Sequence, residues 1–216
     1  MLGTSGNLSI LIDSKDVIAR SVSDEAISNR NEIASPSARN DKVTFEFLIT
    51  ASGKDKGELT EDDFILVDEN GISVDGTSQR PSDETLLHSA IYKNTNAKAV
   101  FHVHTTNSTL LTTLPSEGQD KSCSYISFSG LEMLKGLGFK THDVKINIPV
   151  IENSQDMKYL ASIAPSYINE DVPGLLLKGH GIYAWGQSPH EAKRHVEIFE
   201  FLFEYRIKEL NLEAGV

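Results

Sequence analysis

Two histidines stand two positions apart inside a run of apolar and β-branched residues, Ala99-Val100-Phe101-His102-Val103-His104. The composition of the run is that of a strand, and along a strand residues i and i+2 leave the same face. The chain must therefore build a sheet from which His102 and His104 project together. There they are either satisfied as core or rim side chains or used jointly. A third histidine, His180, lies between glycines in Lys178-Gly179-His180-Gly181. Neutral imidazoles are good zinc ligands, and three of them with an open position make the pattern of a catalytic site. The shared face of His102 and His104, with His180 in a glycine-flanked turn, favours metal over a merely structural role.

The length of 216 residues suffices for one sizeable core, so a single domain over residues 1–216 is expected. A net charge of −11 argues against nucleic acid and against an anionic membrane surface as partners. An anionic small molecule remains possible, because clustered backbone N–H groups bind phosphate even on an acidic protein. Cys123 is the only cysteine, which excludes an internal disulfide and fits a reducing compartment. No apolar run reaches the roughly 18 residues of a membrane span, and no basic stretch leads into an apolar one at the N-terminus. The expected location is cytoplasmic.

Strands are predicted over residues 8–12, 45–50, 99–104, 125–128, 145–150, 174–178 and 181–185, with a hairpin of 64–67 and 72–74 around Asn70-Gly71. Helices are predicted from an N-cap at Ser82, over 108–114 closed by Pro115, over 131–137, over 155–167, and from Ser188 onward. In the last of these Ala192, Val196, Phe199, Leu202, Phe203 and Ile207 form an apolar stripe. Residues 20–42 are polar and aperiodic, which reads as a surface insertion. Strands and helices mix without strict βαβ alternation. The fold class expected is α/β, with helices on both sides of a largely antiparallel sheet in three α/β/α layers.

Small-residue turns at Gly3-Thr4-Ser5-Gly6-Asn7, Ala51-Ser52-Gly53 and Pro81-Ser82 could together form a phosphate nest, with hydroxyls from Thr4, Ser52 and Ser82. Lys54 and Lys56 lie just beyond the second turn and could add charge. Two carboxylates are candidates for proton transfer: Glu84, at the start of a helix, and Glu132, in Gly130-Leu131-Glu132-Met133. Local sequence does not choose between them. His88, His142, His190 and His195 lack paired spacing and read as surface or helix-face residues.

In their order along the chain, the Gly3–Asn7 block, Thr50-Ala51-Ser52-Gly53, Pro81-Ser82-Asp83-Glu84, His102-Val103-His104 and Gly179-His180-Gly181 resemble the class II aldolase/adducin family. Further blocks, Ser52–Gly57, Gly130–Met133, Ile148–Asp156 and Gly179–Gly186, are most similar to its dehydratase branch, which acts on 5-methylthioribulose 1-phosphate. The resemblance implies one zinc ion per subunit on His102, His104 and His180. It implies phosphate binding by Thr4, Gly6, Asn7, Ser52, Gly53 and Ser82, and acid/base work by Glu132. Glu84 takes the position of the carboxylate that the sugar-phosphate aldolases use near their metal. The implied reaction is dehydration to 2,3-diketo-5-methylthiopentyl 1-phosphate in methionine salvage, by a homotetramer. The alternatives are a sugar-phosphate aldolase of the fuculose-phosphate type and a non-catalytic adducin-like module. Presence of all three histidines and both glutamates argues against the last. The resemblance also implies a helix ahead of Gly3, which this sequence does not carry.

Overall fold

Alternating burial along the apolar runs, with side chains leaving opposite faces of each strand, is the basis of the architecture. The computed structural model describes residues 6–12, 45–114, 118–120, 123–169 and 171–215. Among these, nine strands form one sheet: β1 (Gly6–Leu11), β2 (Glu46–Thr50), β3 (Phe64–Asp68), β4 (Ala99–Val103), β5 (Gly118–Asp120), β6 (Cys123–Ser129), β7 (Lys145–Ile151), β8 (Gly174–Leu177) and β9 (Gly181–Gly186). Their order across the sheet is β3-β2-β1-β4-β9-β8-β7-β6-β5. Every pairing is antiparallel except β7 with β8. Strands β8 and β9 are buried at every residue, as strands covered on both faces must be.

The two faces carry separate cores. On one, Val100, Leu175, Leu177, Tyr183 and Trp185 pack with Leu87 and Ile91 of α1 (Thr85–Asn94) and Leu160 of α3 (Met157–Ile163). On the other, Val103, Leu176, Ile182 and Ala184 meet Val196, Phe199, Leu202 and Phe203 of α4 (Pro189–Glu213). The short helix α2 (Thr106–Leu111) lies beside α4 on that second face. This is the three-layer arrangement expected. Ser188 caps α4 as expected, accepting a hydrogen bond from the Glu191 amide at 3.1 Å. No helix among the described residues is long and apolar enough to cross a membrane.

Several local expectations need correction. Helix α1 begins at Thr85 with Glu84 as N-cap, not at Ser82. The Ser82 hydroxyl is instead engaged by the Asn7 side chain and by the Glu84 amide. Residues 132–137 form a 3-10 helix, and the segment predicted over 155–167 divides into α3 and a 3-10 turn at Ala164–Ser166. His104 lies just past the end of β4, so the strand ends one residue early. The predicted insertion at 20–42, the Gly3 and Thr4 part of the first turn, and the stop at Pro115 lie outside the described residues.

Candidate metal centre

Register decides which rings meet. Val100 and His102 leave the same face of β4, the face covered by α1, and His102 sits opposite Tyr183 of β9. The Tyr183 ring stacks on His102 with centroids 4.0 Å apart and planes at 18°. His180 arrives from the β8–β9 connection, where Gly179 takes a φ of +64°. Two threonines hold that turn. The Gly179 amide donates to Thr112 Oγ1 at 2.8 Å, and Thr109 Oγ1 donates to the His180 carbonyl at 3.0 Å. Glu84 comes from the cap of α1, and its carboxylate points at the histidines instead of closing the helix end.

The result is a cluster of Glu84, His102, His104 and His180 whose candidate ligand atoms all lie within 4.8 Å of one another. His102 Nδ1 donates to the Ile182 carbonyl at 3.0 Å, and a carbonyl can only accept. With the ring neutral, as a metal ligand must be, Nε2 carries a bare lone pair, which faces His104 Nε2 at 2.7 Å; with the ring protonated, Nε2 donates to Glu84 instead. Glu84 Oε2 lies 3.3 Å from His102 Nε2, and Oε1 lies 3.2 Å from His180 Nε2. A ring oriented by a backbone carbonyl, with its second nitrogen bare, is what a metal ligand needs. Three imidazoles and one carboxylate facing one point suit a divalent cation. His180 Nδ1 is buried there without a hydrogen-bond partner among the described residues, and the Tyr183 hydroxyl is buried beside Glu84.

Charge follows from this packing. Burial works to raise the Glu84 pKa, but the His102 hydrogen bond and charge, then Asn7 and His180, hold it at about 2. Burial and the Glu84 charge push the Tyr183 phenol well up, so it stays protonated. Burial and the His102 charge take His104 down to about 4. Burial, again with His102, takes His88 to about 3. An unfolded histidine takes its proton near 6.5, so below that pH the unfolded chain binds more protons than the native one. Stability of the metal-free protein is therefore expected to fall as pH drops from 6.5 through about 4 and on to about 3. Glu84, whose native pKa is depressed, adds its own loss only below 4.5. Urea denaturation at stepped pH measures this. A profile flat from about pH 6.5 to about pH 4 would mean that both rings are already charged in the native state.

Beside the cluster lies a cavity of about 490 Å³. Gly6, Asn7, Ser52, Gly53 and Ser82 line it with Glu84, His104 and His180, so the described members of all three predicted turns converge. Thr4 lies outside the described residues. Lys54 and Lys56 reach the cavity too; Lys54 pairs with Asp63 at 2.6 Å, and Lys56 Nζ donates to the Ala51 carbonyl at 3.1 Å. Ala51 and Asp83 line it as well, and Gln155 and Met157 complete the wall. Sequence reasoning assigned neither of them a role, and only the position of Gln155 in the Ile148–Asp156 block marked it.

Glu132 does not line this cavity. It is exposed on the 3-10 helix, bonded to Lys135 at 2.6 Å and 3.6 Å from His142. His142 and His190 are exposed, as expected of surface residues. His88 and His195 are not. His88 is fully buried, and His195 is buried with its Nδ1 donating to the Trp185 carbonyl at 2.6 Å.

The model of the class II aldolase and adducin N-terminal domain matches residues 1–207. A methylthioribulose-1-phosphate dehydratase of Persephonella marina is 46% identical over 159 residues, covering 74% of this chain and 72% of the relative. The protein of that name from Bacillus subtilis is 44% identical over 176 residues, covering 80% and 82%. Among solved structures, an L-fuculose 1-phosphate aldolase superposes with a TM-score of 0.64 at 23% identity, covering 97% of this chain and 78% of that one. The L-fuculose-1-phosphate aldolase of Thermus thermophilus gives a TM-score of 0.62 at 22% identity, covering 100% and 89%. Those structures share the fold; the family match and the sequence relatives go further, and the chain belongs to the class II aldolase and adducin family.

Proposed function

We propose that this chain is a metal-dependent dehydratase that converts 5-methylthioribulose 1-phosphate to 2,3-diketo-5-methylthiopentyl 1-phosphate, a hydro-lyase step of methionine salvage. One observation carries the reading. The Glu84–His102–His104–His180 cluster opens onto a cavity whose other wall is built from the Gly6-Asn7, Ser52-Gly53 and Ser82 turns. Metal ligands and phosphate donors thus flank one space, in a chain 44–46% identical to relatives bearing that activity as their name.

The bound metal, which we assign as zinc, supplies a Lewis acid for the oxygens of the substrate's reacting carbons. The chain's own residues do the rest. Ser82 Oγ accepts from Asn7 Nδ2 at 3.0 Å and from the Glu84 amide at 3.3 Å, which leaves its own hydrogen to donate into the cavity. Ser52 Oγ accepts from Arg80 Nη2 at 3.2 Å and is likewise left as a donor. These hydroxyls, with Gly53 and Lys56, hold the phosphate and so fix the distance of the reacting carbons from the histidines. Glu84, ionised and enclosed, provides the negative charge at the cluster.

Removing a proton from C3 and returning it to the departing C4 hydroxyl releases water, and the enol left behind tautomerises to the diketone. We assign this transfer to Glu132. Its exposure in one chain accords with a homotetramer in which subunit boundaries bring that surface to a cavity. Glu132→Gln should lower turnover by about 10²–10⁴-fold at unchanged metal content. Near-normal activity in that variant would transfer the role to Glu84. The reading as a whole is tested by incubating the zinc-loaded protein with 5-methylthioribulose 1-phosphate, with and without a chelator. A diketone retaining every carbon, lost on chelation and restored by zinc, is expected. A triose phosphate with an aldehyde would make the enzyme an aldolase, and no turnover with zinc present would end the proposal.

A further inference from the structure

Behind the cluster, a file of buried polar groups runs from α1 through β1 to Asn7 and Glu84 in the cavity wall. Tyr92 Oη lies 2.7 Å from Ser9 Oγ, and Ser9 Oγ lies 2.7 Å from His88 Nδ1. His88 Nε2 bonds Asn7 Oδ1, and Asn7 Nδ2 bonds Glu84 Oε2. Ser9 and His88 are fully buried, and Asn7 is 3% exposed. Tyr92, Ser9 and His88 are neither candidate ligands nor part of the cavity wall, so the proposed chemistry does not account for them.

The direction of every bond can be deduced from one end. An ionised carboxylate accepts only, so the Asn7 atom that faces Glu84 must be the amide nitrogen. That nitrogen also donates to Ser82 Oγ at 3.0 Å, which uses both of its hydrogens. The Asn7 oxygen is then turned to His88, and His88 Nε2 must carry the hydrogen. A fully buried imidazole is neutral unless an anion pairs with it, and no carboxylate bonds His88 among the described residues. Nδ1 is therefore an acceptor, Ser9 donates to it, and Tyr92 donates to Ser9. The edge of the His88 ring also meets Tyr183, with centroids 5.5 Å apart, and Tyr183 is the residue stacked on His102.

We infer that His88 is a positioning residue: locked as the neutral Nε2–H tautomer by Ser9 and Tyr92, it holds the Asn7 amide so that both hydrogens serve Glu84 and Ser82. An Asn7 free to flip would turn its carbonyl to the Glu84 carboxylate and lose the donor that aims it. His88 thus acts two hydrogen bonds from Glu84 of the proposed metal site and two from Ser82, a proposed phosphate contact. The inference rests on the reading of this cavity as the reaction site, but its test does not need turnover.

The decisive pair is His88→Gln and His88→Asn. Both place a neutral amide in the same buried space. The Gln amide nitrogen reaches the position of Nε2 and can still donate to Asn7, whereas Asn reaches only the position of Nδ1. Zinc affinity is measured by competition with a chelator, alongside melting temperature, for the wild type, both variants, Asn7→Leu and the His88→Asn/Asn7→Leu double variant. His88→Asn should weaken zinc by about 10–100-fold, the usual consequence of losing an outer hydrogen-bond partner. His88→Gln should recover most of that affinity. In the Asn7→Leu background, His88→Asn should cost little further affinity, because nothing is left for it to orient. Equal zinc affinity in the two amide variants, or full additivity with Asn7→Leu, would overturn the inference and leave His88 a packing residue. A protein that binds zinc in this graded way yet dehydrates nothing would refute the proposed function and leave the positioning role standing.

Discussion

Alanine at His102 is expected to strip the metal and take turnover close to background. The ring is fully buried, its Nδ1 is tied to the Ile182 carbonyl, and its Nε2 faces both His104 and Glu84. The neighbours that remain, His104, His180 and Glu84, cannot rebuild the missing corner, because β4 and β9 fix the backbone from which any substitute would reach. Loss of Lewis-acid stabilisation is worth several kcal/mol, and at about 1.36 kcal/mol per tenfold this is on the order of a thousandfold in rate. The exposed His190 on the first turn of α4 is the control, since His190→Ala removes an imidazole without touching the cluster. Metal analysis of the purified variants, with circular dichroism to establish folding, reads the result. A folded His102→Ala protein with full metal content would show that the ion sits elsewhere.

What sequence could say about this site divides by distance along the chain. His102 and His104 were legible because the period of a strand is local, and so was the face they share. The turn around His180 was legible through its glycines. The composition of the three turns marks Gly6, Asn7, Ser52, Gly53 and Ser82 as members of a possible nest, but nothing local says that they converge; the family resemblance alone implies that. Asn7 and Ser82 are 75 positions apart, and no spacing rule reaches that far. His88 was read as a helix-face residue because its partners, Ser9 and Asn7, lie 79 and 81 positions away. A polar residue on the inner face of a helix looks, in sequence, like an interruption of the apolar stripe. The helix start at Ser82 failed for a related reason. Ser82 has the chemistry of a cap, but Asn7 from β1 engages its hydroxyl first, and the helix opens three residues later. Residues 132–137 have helical spacing, yet Gly136 lies where a Cβ would come within 2.4 Å of Ile198 Cδ1. That segment packs closely against α4 at Gly136, a constraint that local propensity does not express.

Glycine also underlies the second large effect, expected at Gly181. This residue opens β9 immediately after His180, and a Cβ there would lie 2.4 Å from the Val103 carbonyl oxygen. It would also lie 3.1 Å from His104 Cδ2 and 3.2 Å from His102 Cε1. The nearest obstacle is backbone in the neighbouring strand, which cannot rotate away as a side-chain tip could. Gly181→Ala must therefore push β4 and β9 apart at the point where the His102 and His104 rings start. Overpacking of this kind costs about 1–3 kcal/mol in stability, which a domain with buried cores on both sheet faces should survive. The proposed metal site has less tolerance, because such a constellation must hold its geometry to within about 0.5 Å. Zinc affinity is thus expected to fall by about 10–100-fold in a protein that remains folded. Gly138→Ala separates crowding from backbone strain: Gly138 has a φ of +101° and open space for 4 Å around the point a Cβ would occupy, so it should lose stability and keep its zinc affinity. If Gly181→Ala bound zinc as tightly as the wild type, the rings would not depend on this contact, and the close approach of β9 to β4 would be a matter of packing alone.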